Sequence, residues 1–165
     1  MPSSYSFDVV SEFDQQELVN AIDQLRREVD QRYDLKDSKT KIDIKEDELS
    51  IVSLSDMTIE SVKDILLQKA TKRNLSLKIF DFQKVETIGG NMVMQIVKLR
   101  KGLSQEISKK LSKLVRDNMK KVTVSIQGDS LRVSGKNKDD LQTAINLIKK
   151  QEEDLEIALQ FQNFR

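Results

Sequence analysis

The chain has 165 residues, with 28 Lys plus Arg against 27 Asp plus Glu, and it contains neither Cys nor His. That composition excludes disulfides, thiolate nucleophiles, imidazole bases and the usual zinc sites. The near-even charge balance is unlike that of a protein that coats DNA nonspecifically. The start, MPSSYSFDVV, lacks a basic segment followed by an apolar run, and no apolar stretch is long enough to span a bilayer. A soluble, cytoplasmic protein with no membrane partner is expected. Charge is unevenly spread: residues 1–60 hold 15 acidic and 7 basic side chains, whereas residues 98–121 hold 9 basic and 2 acidic.

In chain order, Ser6 to Phe13 reads as a strand. Asp14 with Glu17 forms a capping box before Leu18, Ala21, Ile22, Leu25 and Val29, which share a helix face. Ile42 and Ile44 alternate with charged residues, and Leu49 to Leu54 follows after a polar turn, which predicts a hairpin. A helix with Val62, Ile65, Leu66 and Ala70 on one face is expected next, capped by Thr58. Leu75, Leu77 and Ile79 alternate as a strand. Gln83 to Gly90, ending in Gly89-Gly90, reads as a connector and hinge. Asn91 to Leu99 is a further strand, and Ser104 caps a helix carrying Ile107, Leu111, Leu114 and Val115.

The second half repeats the first at an ungapped offset of 82 residues. Ile44 falls on Ile126, Leu49 on Leu131, Ile51 on Val133, Ile65 on Leu147, and Leu77, Ile79 and Phe82 on Leu159, Phe161 and Phe164. Agreement over so many apolar positions indicates a duplication. Each half is a strand–helix–strand–strand–helix–strand unit, so the fold class is α+β: two tandem ferredoxin-like βαββαβ domains with antiparallel sheets and helices on one face.

Alternation assigns the sheet faces. In the second repeat Thr123, Ser125, Gln127, Arg132, Ser134, Gln160, Gln162 and Phe164 are expected on the face without helices. In the first repeat the same rule puts Val52, Leu54, Phe80 and Phe82 there. Such an apolar patch fits domain packing or a partner. The third strands, LSIVSL and LRVSG, lack the aromatic residues of an RNA-stacking platform.

The stretch IQGDSLRVSGKNKDDLQ gathers Lys136, Lys138 and Arg165 where the third and fourth strands end and a helix begins after Asn137. Free amides at a helix start favour an anion. Asn137 with Asp140 resembles a capping box, and Asp139 and Asp140 also offset the dipole, so the lysines read alternatively as solvated charges. The first repeat has Leu54, Asp56 and Gln83 at these positions, with no cation. No P-loop or dinucleotide fingerprint is present. A second basic feature is the stripe Lys109, Lys113, Arg116 and Lys120 on the helix after Ser104, which reads as a solvated face or as a nucleic-acid contact.

FDVVSEFD near the start, IQGDSLRVSGKNKDDLQ near the end and the terminal FQNFR together resemble the bacterial YajQ family over essentially the whole chain. The resemblance implies a non-enzymatic nucleotide-binding protein, with cyclic di-GMP reception and modulation of transcription in some members. It also implies that the two domains exchange first strands. The first would comprise residues 14–100 with strand 91–99; the second would comprise residues 1–13 with 101–165 and take strand 6–13. Tyr5 would then join Lys136, Arg165 and Phe164 as a ring for a base. Where many members carry an aromatic residue after the inter-domain loop this chain has Asn91 and Met92, and where many have Arg it has Lys138.

The leading expectation is therefore a nucleotide whose phosphates meet Lys136, Lys138 and Arg165, with Arg132, Asn163 and Gln127 as base-edge contacts. The alternative is an RNA-associated or protein-interaction module using the basic helix 104–118 and the open faces. A transcription factor is a candidate partner. No cofactor or metal is expected, and no pair of side chains has a forced catalytic geometry.

Overall fold

The computed structural model describes residues 4–165; Met1-Pro2-Ser3, the head of the segment read as carrying no signal sequence, lies outside the described residues. Two compact units are present. One is built from the residues up to Glu12 together with Lys101–Arg165, the other from Phe13–Arg100. Both are ferredoxin-like units of one antiparallel sheet backed by two helices, and the chain is α+β. No helix among the described residues is long and apolar enough to cross a membrane.

In the Phe13–Arg100 unit, α1 (Gln15–Gln31) starts where the Asp14 carboxylate accepts the amides of Gln16 and Glu17 at 2.9 and 3.2 Å. The helix buries Leu18, Ala21, Ile22, Leu25 and Val29 on one face. Strands β2 (Lys41–Ile44) and β3 (Glu48–Ser53) form the expected hairpin. Helix α2 (Asp56–Lys72) is capped by Ser55, not Thr58. Thr58 sits at the third helical position and completes the capping box, its Oγ1 accepting the Ser55 amide at 3.1 Å.

The segment expected to alternate as a strand from Leu75 instead forms a 3-10 turn, Leu77–Ile79, before β4 (Phe80–Phe82). That turn resets the alternation. Phe80 pairs with Leu99 and Phe82 with Val97, on the helix-facing side, and Phe80 is 4% exposed. Their assignment to the open face is thereby corrected. Gln83–Gly90 is not a free hinge. It contains β5 (Glu86–Ile88), which forms a hairpin with β6 (Met92–Leu99), turned through Gly90 and Asn91 at φ +73° and +60°. The strand order is β2-β3-β6-β4, with β5 beside β6.

In the other unit, β1 (Tyr5–Val10) lies inside the sheet, and α3 (Gln105–Asn118), β7 (Val122–Gln127), β8 (Ser130–Gly135), α4 (Lys138–Glu152) and β9 (Gln160–Gln162) complete it. The order is β7-β8-β1-β9. β1 is antiparallel to both neighbours, with Phe7 opposite Val133 and Val9 opposite Leu131 and Phe161. Phe7, Val9, Leu131 and Val133 are fully buried and meet Leu111 and Val115 of α3 and Ala144 and Ile148 of α4.

Register shows where the two units correspond. Leu49 is opposite Val97, and Val97 opposite Phe82; Leu131 is opposite Val9, and Val9 opposite Phe161. Phe82 thus matches Phe161, an offset of 79, so the ungapped offset of 82 fails in the last strand. The same register matches Phe7 to Gln95, opposite Val133 and Ile51. Gln95 is buried, and its amide donates to the Gln83 carbonyl at 2.8 Å where β4 gives way to β5.

Phe7 fills the centre of its unit's core, so Phe7→Ala is expected to lower stability by about 3–5 kcal/mol, whereas Ser55→Ala removes one cap for about 1 kcal/mol. Urea unfolding followed by circular dichroism checks the ranking; a smaller loss for Phe7→Ala than for Ser55→Ala would contradict it.

Candidate functional site

The site is built where β8 ends and α4 begins. Gly135 is the last residue of β8 and is buried; a Cβ there would stand 3.2 Å from Val122 Cγ1 and 3.4 Å from Leu141 Cδ2. The bare α-carbon lets α4 start directly over the strand end. Asn137 caps α4 by accepting the Asp139 amide at 2.9 Å; a reciprocal bond from Asp140 does not form among the described residues. Asp139 and Asp140 put negative charge on the first turn, where the dipole favours it.

β1 delivers its first residues to the same edge. Tyr5 is opposite Gly135 and Ser6 opposite Ser134. On the other side of β1 the ladder with β9 pairs Asp8 with Gln162, and Ser6 and Arg165 then exchange both backbone hydrogen bonds at 3.0 and 3.2 Å. One extra residue is accommodated between these pairs, which is a β-bulge. Asn163 takes it up at φ +56°, a conformation Asn tolerates better than most residues.

The bulge turns Phe164 toward the helix-facing side, 6.0 Å from Phe7 between ring centroids. Phe164 was expected on the open face by simple alternation; the extra residue is why it is not. Phe164 as a residue remains 63% exposed.

Two clefts flank this edge. The first, about 340 Å³, lies on the α4 side and is lined by Tyr5, Lys138, Phe164 and Arg165 with Leu141 and Ile145 beneath. Lys138 Nζ stands 5.0 Å from the Tyr5 ring centroid, a cation–π contact. The second, about 760 Å³, is lined by Lys121, Thr123, Ser134, Lys136 and Asp140, with Ser4 and Asn137 at its margin. The three cations read as one cluster are thus divided: Lys138 and Arg165 in one cleft, Lys136 in its neighbour.

The expected base-edge contacts are engaged within the protein. Asp8, 7% exposed on β1, accepts Arg132 Nε at 3.0 Å and the Asn163 amide at 2.9 Å. The Arg132 hydrogen bond holds the Asp8 carboxyl below the usual carboxylate range; burial opposes this, while the Asn163 amide and the charges of Arg132 and Arg165 reinforce it. Asp8 in turn raises the Arg132 guanidinium. Gln127, at the far end of β7, donates to Ser125 Oγ at 2.8 Å and lines neither cleft. In the basic stripe, Lys109, Lys113 and Arg116 are exposed on α3, but Lys120 lies beyond the C-cap Met119 and is not on the helix.

Two residues escaped the sequence reading. Asp8 lies between Phe7 and Val9 with nothing local to mark it, and only its place between β8 and β9 gives it two partners. Lys121 was legible in principle, because the hairpin register that pairs Val122 with Gly135 puts Lys121 opposite Lys136.

The family described as "Nucleotide-binding protein YajQ-like" matches residues 5–165. A "Nucleotide-binding protein" of Prochlorococcus marinus (strain NATL1A) is 94% identical over 165 residues, covering all of both chains. Proteins of that same description from Synechococcus sp. strains CC9605 and JA-3-3Ab are 67% and 57% identical, again over the full length of both chains.

Because the folded carboxyl of Asp8 is held below its unfolded value, its contribution is present above about pH 4 and is lost as pH falls through the folded value. Asp8→Asn should therefore melt below the parent protein at neutral pH, and the two melting curves should converge in acid. Equal melting temperatures at neutral pH would contradict the Arg132–Asp8–Asn163 link.

Proposed function

Because the chain belongs to the YajQ-like nucleotide-binding protein family, we propose that it binds a nucleotide in the cleft of Tyr5, Lys138, Phe164 and Arg165. The observation that carries the reading is a largely exposed aromatic ring beside two cations in one cleft. The Phe164 ring offers a stacking face for a base, and every base has a π-face to match. The Tyr5 ring holds the Lys138 ammonium in the wall of the cleft at the start of α4, where a phosphate would meet it and the first amides of the helix. Arg165 is fixed by its backbone pair with Ser6, and its guanidinium, which makes no side-chain hydrogen bond among the described residues, can fork onto a phosphate. Arg132 and Asn163 act indirectly, by anchoring Asp8 and the bulge that sets Phe164.

The specific ligand we propose is cyclic di-GMP, with the complex acting on transcription through a protein partner in the cytoplasm. The resemblance of FDVVSEFD, IQGDSLRVSGKNKDDLQ and FQNFR to the family supports that choice. Binding proceeds without turnover, a reading supported by a chain that supplies no thiolate or imidazole to the chemistry.

A second reading places RNA or an acidic protein on α3. It is favoured by Lys109, Lys113 and Arg116, which are exposed and make no ion pair among the described residues. Charge reversal at Lys113 and Arg116 separates the two, since it should abolish RNA retention in a mobility shift while sparing the nucleotide.

Calorimetric titration with cyclic di-GMP and with guanine mononucleotides tests the first reading. Base stacking is worth about 1–3 kcal/mol, so Phe164→Ala should weaken binding roughly tenfold or more. Lys138→Ala should do the same at low salt and less at high salt, where screening already weakens the contact. Parent-like affinity in the double variant would remove the site.

A further inference from the structure

We propose that the strand-end edge of the C-terminal sheet carries a separate anion site, formed by Lys121 and Lys136 with Thr123 and Ser134, for a chain of linked phosphates of pyrophosphate type. It shares no lining residue with the Tyr5–Phe164 cleft and does not rest on that reading.

Register builds the site. Val122 is opposite Gly135 and Thr123 opposite Ser134, so Lys121 and Lys136 stand opposite each other just past the strand ends. Buried Val122 and Gly135 face the helices, so Thr123 and Ser134 face the other way; with Lys121, Lys136, Gly135 and Asp140 of α4 they line a cleft of about 760 Å³ at the strand ends. Ser4 continues the lysine row onto β1, where Tyr5 is opposite Gly135. Three strands at their ordinary spacing make that row about 10 Å wide, which suits linked phosphates better than one tetrahedral ion.

Two like charges follow one residue past the paired ends of β7 and β8. Like charges directly opposite each other on antiparallel strands are destabilising. Neither lysine has an ion pair or side-chain hydrogen bond among the described residues, and neither do Thr123 and Ser134. The one carboxylate lining the cleft is Asp140, which comes from α4 and not from the strands.

The other unit serves as an internal comparison. Its hairpin has Lys41 opposite Val52, and Lys39 and Leu54 at the flanking positions, where this unit has Thr123 opposite Ser134, and Lys121 and Lys136. The duplicated scaffold is therefore stable with lysine facing an apolar residue. Both copies carry two lysines at these four positions, but only this one sets lysine against lysine and adds two hydroxyls, and a polyanion is the chemistry that satisfies all four.

Isothermal titration with inorganic pyrophosphate tests the site. The parent protein should give saturable binding, Lys121→Ala and Lys136→Ala should each weaken it at least tenfold, and Asp140→Asn should tighten it severalfold. Lys121 and Lys136 are exposed and Asp140 is half-buried, so circular dichroism checks that each variant folds. No saturable heat with the parent, or parent-like affinity in both lysine variants, overturns the proposal. Phe164→Ala keeps the two clefts distinguishable: pyrophosphate binding should survive it, and loss in step with nucleotide binding would place the anion in the aromatic cleft and overturn the proposal. Competition by GTP but not GMP, abolished in Lys121→Ala, would identify a nucleotide's phosphate chain as the occupant. Pyrophosphate binding without such competition would identify the free anion; either result supports the site.

Discussion

The hydrogen bonds that hold β1 between β8 and β9 are the constraint on which the C-terminal unit depends. They insert Phe7 and Val9 into the core on one face and Asp8 between Arg132 and Asn163 on the other. Without β1 the sheet would lose its central strand, and β8 and β9 would each expose an unpaired edge. The same ladder carries Tyr5 and Ser6 to the place where β8 hands over to α4. The candidate site is thus a by-product of strand pairing: a residue from the start of the chain, one from its end and the first turn of a late helix meet because one strand is threaded between two others.

Local chemistry then decides what that edge can do. Gly135 removes the side chain that would hold α4 away from the strand end. The bulge at Asn163 rotates Phe164 out of simple alternation and toward the Tyr5 side. Asp8 ties the bulge down through the Asn163 amide, and a buried carboxylate stays ionised there because Arg132 is bonded to it. Two clefts of different character result. One pairs exposed aromatic surface with two cations; the other sets two lysines and two hydroxyls beside Asp140 at the strand ends.

Much of the fold was legible because burial repeats. Leu18, Ala21, Ile22, Leu25 and Val29 mark α1, the Ile42–Leu54 pattern marks a hairpin, and the correspondence between halves exposes the duplication. Failures cluster where backbone geometry breaks period. The 3-10 turn at Leu77–Ile79 moves Phe80 from the open face to the core, and the bulge likewise moves Phe164 from the open face to the helix-facing side. Neither break has a glycine or proline to announce it. The positions of Lys136, Lys138 and Arg165 near one sheet edge followed from topology, but their division between two clefts did not. That division depends on which face each backbone position presents. Asp8 was invisible for a related reason: its two partners lie 124 and 155 residues away along the chain.

Backbone-amide chemical-shift mapping during titration with a guanine nucleotide tests the central claim most directly, because it locates the ligand without altering the protein. Shifts concentrated at Tyr5, Ser6, Lys138, Leu141, Phe164 and Arg165 are the predicted result. Saturable shifts confined to Phe13–Arg100, with those amides unmoved, would contradict the account.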